Sequence, residues 1–120
     1  MTREIKFRAW HCGEGNMYRN IAVLACPNYL FRVYEDYSHR EYIGNDKHLT
    51  IMQFTGLLDK NGVEIYEGDI VRGRNGDIYL VVFENAAFRT NGIVPHPKYF
   101  SDDEVIGNIY ENPDLVKGLV

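Results

Sequence analysis

The chain has 120 residues, of which 45% are hydrophobic and 25% charged, so it can form one hydrophobic core and is too apolar for a disordered tail. No apolar run approaches the ~20 residues of a membrane-spanning helix, and the charged start is unlike a signal peptide, so we expect a cytoplasmic protein without membrane contact. The net charge of −4 arises in residues 99–120, because residues 1–98 carry twelve charges of each sign. Residues 1–98 therefore lack the basic stripe of a protein that binds phosphates non-specifically.

The N-terminal third of the chain predicts several short strands. At residues 5–10, apolar side chains alternate with Lys6, Arg8 and Trp10, which is the pattern of a half-buried strand. Glycines at positions 13 and 15 then favour a hairpin turn, because glycine adopts positive φ without strain. The rest of this region predicts strands at residues 21–25 and 29–34, a break at Pro27-Asn28, and a polar surface excursion over 35–47 with a short strand at Tyr42-Ile43 and a turn at 44–46.

The segment of residues 52–71 combines strands with two turns. Asp59-Lys60-Asn61-Gly62 places Asn and Gly where a tight reversal needs positive φ, so we expect a hairpin between the preceding strand and Ile65-Tyr66. Glu67-Gly68-Asp69 predicts a second turn or bulge before Ile70-Val71.

The C-terminal half predicts a further hairpin, a loop, a strand and one helical turn. Asn75-Gly76 lies between β-branched and aromatic runs, which is the strongest short-range hairpin signal. Residues 78–83 are apolar on both faces, so this strand should be covered on both sides and central. Asn91-Gly92 and Pro95-His96-Pro97 predict that residues 86–103 form an irregular loop. A strand is expected at 105–110, followed by a helical turn that begins at Asn112-Pro113.

Three blocks of the sequence carry a resemblance to a known family. Residues 3–10, 52–71 and 105–115, in this order and at this spacing, resemble the YopX family of small phage and prophage proteins. The resemblance implies a mainly β fold, a phage or prophage origin, a bacterial host cell and no defined reaction. Together with the turns, it predicts a single domain over residues 1–120, built of antiparallel hairpins as a partly open or SH3-like β-barrel with a short C-terminal helical turn.

Residue types suited to metal binding or thiol chemistry are scattered along the chain. Cys12 and Cys26 form no Cys-x-x-Cys pair, and the four histidines lack ligand spacing, so we expect no metal site and no cofactor. His11 and Cys12 are neighbours on a predicted strand, which directs their side chains to opposite faces and separates base from nucleophile. Cys26 lies in an apolar run and is expected to be a small buried hydrophobe.

The best carboxylate cluster is formed by Glu64, Glu67 and Asp69. Glu67 and Asp69 would point the same way on a strand, as paired acid and base catalysis or a hard cation requires. Turn formation explains them without chemistry, since Asp69 can accept a backbone N–H in the bend and Glu64 can pair with Lys60 across the hairpin. We favour the structural role and expect no catalytic residues.

A nucleic-acid interface is the alternative function that the sequence suggests. Residues 68–82 are similar to the strand and turn pattern of small SH3-like barrels, including the KOW type that often contacts RNA. Its candidate contacts are Lys6, Arg8, Arg72, Arg74 and Tyr79, with the tyrosine as a stacking surface. The charge balance of the body favours a solvated face for these residues.

The sequence therefore predicts a non-enzymatic phage or prophage accessory protein that acts by protein–protein binding or self-association. The partner is an unknown protein or a second copy of the chain, and a homo-oligomer is the expected form in the second case. Nine tyrosines agree with this expectation, because tyrosine is enriched at protein interfaces.

Overall fold

The computed structural model describes residues 5–19, 21–26, 29–34, 42–45, 47–74, 76–84, 87–90 and 102–116; for residues 24–26, 29–34, 42, 43, 45 and 90 it describes the backbone alone. The chain forms antiparallel strands and ends in a short 3-10 helix over Pro113–Val116, which confirms the mainly β fold and the C-terminal helical turn. The strands are β1 (Phe7–His11), β2 (Asn16–Arg19), β3 (Ala22–Cys26), β4 (Tyr29–Tyr34), β5 (Tyr42–Asn45), β6 (Leu49–Leu58), β7 (Glu64–Tyr66), β8 (Asp69–Arg72), β9 (Ile78–Glu84), β10 (Ala87–Thr90) and β11 (Glu104–Asn108).

The described residues separate into two compact units, with the boundary between Gln53 and Phe54 inside β6. We call residues 5–53 the N-terminal unit and residues 54–116 the C-terminal unit. The organisation as a single domain stays a prediction.

In the N-terminal unit, β1 pairs with β2 on one side and with the first half of β6 on the other. A second sheet has the order β3-β4-β5, which confirms the β assignment of residues 21–25. The predicted hairpin between β1 and β2 is present, and Gly15 has a φ of +67° in its turn. The core of this unit is formed by Ala9, Ile21 and Leu49.

The predicted burial of residues 5–10 is right at Ala9, which is 0% exposed, and wrong at two other positions. Ile5 is 66% exposed, whereas Arg8, expected on a solvated face, is only 2% exposed. The neighbouring residues Arg8 and Ala9 are both buried although they point to opposite faces of the sheet. Alternation signals a half-buried strand, and β1 is covered on both faces at this position.

The turn predicted at residues 44–46 is also wrong, because Gly44 and Asn45 belong to β5. A Cβ atom on Gly44 would lie 3.0 Å from Cδ1 of Leu49. Gly44 therefore allows close packing against a core leucine, and the turn follows at residues 47–48.

The C-terminal unit contains the three reversals predicted for residues 59–77. The second half of β6 pairs with β7, and a sheet of order β10-β9-β8-β11 follows. Gly62, Gly68 and Gly76 have φ values of +79°, +88° and +87°, so each occupies the left-handed region that its turn requires. Asn75 lies outside the described residues. The described strands of this sheet end at β10 and β11 without closing on each other, which agrees with the partly open form of the predicted barrel.

The core of the C-terminal unit is formed by Ile65, Val71 and Val81, which are each 0% exposed. Val81 lies in β9, which has a neighbour on both sides, so the predicted central position of this strand is confirmed. The predicted cover on both faces is wrong at Phe83, which is 47% exposed. The irregular loop predicted for 86–103 is wrong at its start, because residues 87–90 form β10 against β9. Residues 91–101 lie outside the described part of the chain.

Candidate functional site

A charged groove with a volume of about 480 Å³ lies on the C-terminal unit. Its walls come from three segments that are distant in sequence: the turn after β6, the end of β8 with the turn that follows, and the start of β11. The lining residues are Lys60, Arg72, Gly73, Arg74, Gly76, Asp102 and Glu104. We call this site the Arg72 groove.

The pairing of β8 with β11 places the acidic residues of the groove, Asp102 and Glu104, near its two arginines. β11 runs antiparallel to β8, with Glu104 directly opposite Arg72. The backbone N–H of Lys60 donates to the carbonyl oxygen of Asp103 at 2.9 Å, which fixes the third wall. The sequence places Arg72 and Arg74 at a turn, but only this non-local pairing brings them opposite the acidic segment.

Two of the three cations in the groove form ion pairs. Nζ of Lys60 lies 3.2 Å from Oε2 of Glu104, and Nη2 of Arg74 lies 2.8 Å from Oδ2 of Asp102. Both pairs are solvent-accessible, so each contributes about 0–1 kcal/mol and can open at little cost. Among the described residues, the exposed side chain of Arg72 has no ion-pair partner.

The carboxylate of Asp59 connects two of the segments that carry the Arg72 groove, the turn after β6 and β11. Oδ1 accepts the backbone N–H groups of Asn61 at 2.8 Å and Val63 at 2.9 Å, and Oδ2 accepts that of Val105 at 2.9 Å. Burial alone would raise the pKa of Asp59, but these three donors and the charge of Lys60 outweigh it and hold the pKa below its usual value. The sequence predicts Asp59 as a turn residue. The residues near Asp59 do not indicate its hydrogen bond to Val105, which lies 46 positions further along the chain.

Two neighbouring groups have raised pKa values. Burial and the adjacent charge of Asp102 raise the pKa of Asp103. Burial, the charge of Asp77 and a 3.3 Å hydrogen bond from Oη of Tyr79 to that carboxylate raise the pKa of the Tyr79 phenol. Both shifts disfavour the charged forms of these two groups, and among the described residues neither group is placed as a base against a nucleophile.

The five candidate nucleic-acid contacts are divided between the two units. Lys6 and Arg8 belong to the N-terminal unit, and Arg8 is buried. Arg72 and Arg74 are exposed in the groove, but Arg74 is bound to a carboxylate. Tyr79 packs against the core of the C-terminal unit, so its ring is not presented as a free stacking surface.

The carboxylate cluster at 64–69 takes part in the turn. Asp69 is 1% exposed, and its Oδ2 accepts the backbone N–H of Tyr66 at 2.7 Å, as the turn role predicts. Glu67 is half-buried, so the two carboxylates do not share one exposed face. Lys60, expected to pair with Glu64, forms an ion pair with Glu104.

Two histidines stack in the N-terminal unit. The rings of His11 and His48 have centroids 5.7 Å apart and an interplanar angle of 13°. Nδ1 of His11 accepts the backbone N–H of Glu14 at 3.0 Å, so the neutral ring carries its proton on Nε2. Cys12 is a free, exposed cysteine. Within the described ranges no three His, Cys, Asp or Glu side chains are grouped to hold a metal ion, and the side chain of Cys26 with all of His39 and His96 lies outside them.

An aromatic pair lies at one edge of the C-terminal unit. Phe83 on β9 is directly opposite Phe88 on β10, and the ring centroids are 4.9 Å apart with an interplanar angle of 62°. Phe83 is 47% exposed. Among the described strands, β10 has only β9 as a neighbour, so it is an edge strand. We call Phe83, Phe88 and the outer edge of β10 the aromatic edge.

Comparison with known proteins gives a family and a fold. The sequence model of the YopX protein family matches residues 6–117. The structure is similar to the crystal structure of protein EF1440 from Enterococcus faecalis, with 29% identity, a TM-score of 0.77, and coverage of 96% of this chain and 99% of that one. It also resembles protein yopX from Bacillus subtilis, with 18% identity, a TM-score of 0.61, and coverage of 92% and 96%.

A search of curated proteins found no match to the chain. In the part of the chain that the structure describes, no helix has both the length and the apolar character that a membrane crossing needs.

Proposed function

The chain belongs to the YopX family, and from this premise we propose that it is a non-enzymatic protein that acts by binding another protein chain, either a second copy or a different partner. We place it in the bacterial cytoplasm as a phage or prophage accessory protein, which is the origin that the resemblance in sequence implies. A protein of this kind needs a surface suited to protein contact. It does not need a set of assembled catalytic groups.

The aromatic edge is the observation that carries this proposal. Exposed aromatic side chains are the commonest anchors of protein interfaces, because they bury a large area at a low cost in conformational entropy. Phe83 is already supported by an edge-on contact with Phe88, so little order is lost when it is covered.

The carboxylates support a non-catalytic role. The buried oxygens of Asp59 and Asp69 accept backbone N–H groups, and this use fixes turns. A catalytic carboxylate must instead face a space that substrate can enter. The two side chains serve the backbone, so their positions are explained without a reaction.

Nucleic-acid binding has weaker support. The Arg72 groove combines three cations with two carboxylates, and Arg8 is buried in the other unit. If nucleic acid bound there, a gel shift at low salt should weaken as the salt concentration rises, because phosphate contacts release counterions. The absence of a shift at low salt would remove this alternative.

The protein-binding proposal predicts that Phe83→Ser reduces capture of the partner by about tenfold or more, because removal of an aromatic anchor costs about 2 kcal/mol or more. The bait is the full chain, in a lysate of Enterococcus faecalis, the source of one structural relative. Leu115→Ser is the matched control, since Leu115 is also an exposed apolar residue of the C-terminal unit, at 38%.

The supporting result is a protein, or a second tagged copy, that the wild type and Leu115→Ser retain equally and Phe83→Ser loses. Thermal unfolding of all three proteins checks that the loss is not a folding defect. Equal retention by Phe83→Ser would show that the aromatic edge is not the interface.

A further inference from the structure

We propose that the Arg72 groove binds a peptide segment of a partner protein through one carboxylate of that segment, with Arg72 as its anchor. This inference rests on the proposed protein-binding function and adds the chemistry of the segment that is recognised. The groove and the aromatic edge share no residue, so each can be tested without the other.

The charge of Arg72 indicates that the ligand is an anion. Its guanidinium is exposed at the end of β8, while the neighbouring cations Lys60 and Arg74 are matched by carboxylates. The lining residues carry three positive and two negative charges. A guanidinium has a planar fork of donors that binds a carboxylate with two parallel hydrogen bonds. Arg72 can therefore bind one carboxylate while both existing ion pairs stay in place.

Gly76 makes part of the wall accessible to a peptide backbone. No atom lies within 4 Å of the position that a Cβ on Gly76 would occupy, so the space there is open. Gly73 also lines the groove, but a Cβ on Gly73 would lie 3.1 Å from Cε2 of Tyr79 and 3.6 Å from Oδ1 of Asp103. An extended chain can therefore approach this wall closely at Gly76.

The two carboxylates of the groove favour a peptide over a nucleic acid. A polynucleotide carries a negative charge at every residue, and a strand that placed one phosphate at Arg72 would bring others near Asp102 and Glu104. A peptide can place one carboxylate at Arg72 and cationic side chains at these two residues, because its charges can alternate. The preferred segment has an acidic residue flanked by lysine or arginine.

The test is an NMR titration of the full chain with two short peptides. The first probe is acetyl-Lys-Glu-Lys-amide, and the second is acetyl-Lys-Gln-Lys-amide, which lacks only the carboxylate. We expect the first to shift the amide signals of Gly73 and Gly76 and to bind roughly fivefold more tightly than the second, as one charge-assisted pair provides.

Arg72→Gln should lower the affinity for the Glu peptide by roughly fivefold, whereas Arg19→Gln should change it by less than about twofold. Arg19 is the matched control because it is an exposed arginine in the N-terminal unit. Inorganic phosphate and a twelve-residue thymidine oligonucleotide are tested in the same way. Equal binding of the two peptides, unchanged affinity in Arg72→Gln, or tighter binding of the oligonucleotide or phosphate would each overturn the proposal.

Phe83→Ser separates this proposal from the proposed function. It should bind the Glu peptide as the wild type does, because Phe83 does not line the groove. If Phe83→Ser retains its partner, the aromatic edge fails as the interface. If Arg72→Gln retains the peptide, the groove fails as the carboxylate site.

Discussion

Asp59→Ala should lower the free energy of unfolding by about 3 kcal/mol, because it leaves three backbone N–H groups without their carboxylate acceptor. Two of these donors belong to the turn after β6, and the third is Val105 in β11. The substitution therefore weakens the turn and releases the strand that carries the acidic wall of the Arg72 groove. Urea unfolding followed by circular dichroism measures the loss.

The controls for Asp59 separate charge from shape. Asp59→Asn keeps one acceptor oxygen and should cost less, about 1–2 kcal/mol. Asp114 is an exposed acidic residue, so Asp114→Ala should stay within about 0.5 kcal/mol of the wild type. An unfolding midpoint of Asp59→Ala equal to that of the wild type would show that the carboxylate does not hold β11.

The stabilising effect of Asp59 also has a defined pH dependence. Because its pKa is lowered in the folded protein, its contribution is fully present above the unfolded value of 3.8 and is lost as the pH falls through the lower folded value. The difference in stability between wild type and Asp59→Asn should therefore shrink in acid. A difference that stays constant below pH 3.8 would contradict the lowered pKa.

The second large effect is expected for Asp69→Ala, at about 2 kcal/mol of lost stability. Asp69 is 1% exposed and its Oδ2 accepts the N–H of Tyr66, which is itself buried beside the turn at Gly68. Removal of the acceptor leaves this buried donor unsatisfied, and an unsatisfied buried donor costs about 1–3 kcal/mol. Thermal and urea unfolding should both report the change.

The same variant decides between the structural and the catalytic role of the carboxylate cluster. In the structural role, Asp69→Ala loses stability, and partner capture by its folded fraction is unchanged. Glu84→Gln is the control, because Glu84 is an exposed carboxylate on the neighbouring strand. A variant of wild-type stability that had lost a measurable reaction would support the catalytic role.

The turns were predictable because their causes are local. Gly62, Gly68 and Gly76 all have positive φ, and a glycine flanked by Asn, Asp or Glu indicates such a turn from a few residues of sequence. The hairpins follow, since each turn joins two apolar runs of strand length. This explains why the segment at 52–71 identifies the family so well: its backbone is closely constrained.

Burial was less predictable because it depends on which strands become neighbours. Arg8 fits an exposed position in an alternating pattern, but it is buried because β1 is covered on both faces there. Gly44 fits a turn by composition, but it lies in β5, where a Cβ would lie 3.0 Å from Cδ1 of Leu49. Neither fact can be derived from nearby residues.

The candidate sites were likewise predictable only where their causes are local in the sequence. The exposed pair Arg72 and Arg74 was predicted at its turn, but the carboxylates that face it arrive through the pairing of β8 with β11. The aromatic edge was missed because the prolines and glycines after residue 90 favoured a loop for the whole of 86–103. The available signal was Phe88, an aromatic residue at strand-like spacing just after β9.

Fluorescence-detected sedimentation velocity tests the central claim, protein binding through the aromatic edge, most directly. Labelled wild type and labelled Phe83→Ser are compared in buffer and in Enterococcus faecalis lysate. We predict that the wild type sediments faster than a 13.9 kDa monomer in at least one of the two, and that Phe83→Ser loses most of this increase. Sedimentation of the wild type as a monomer in buffer and in lysate would contradict the account.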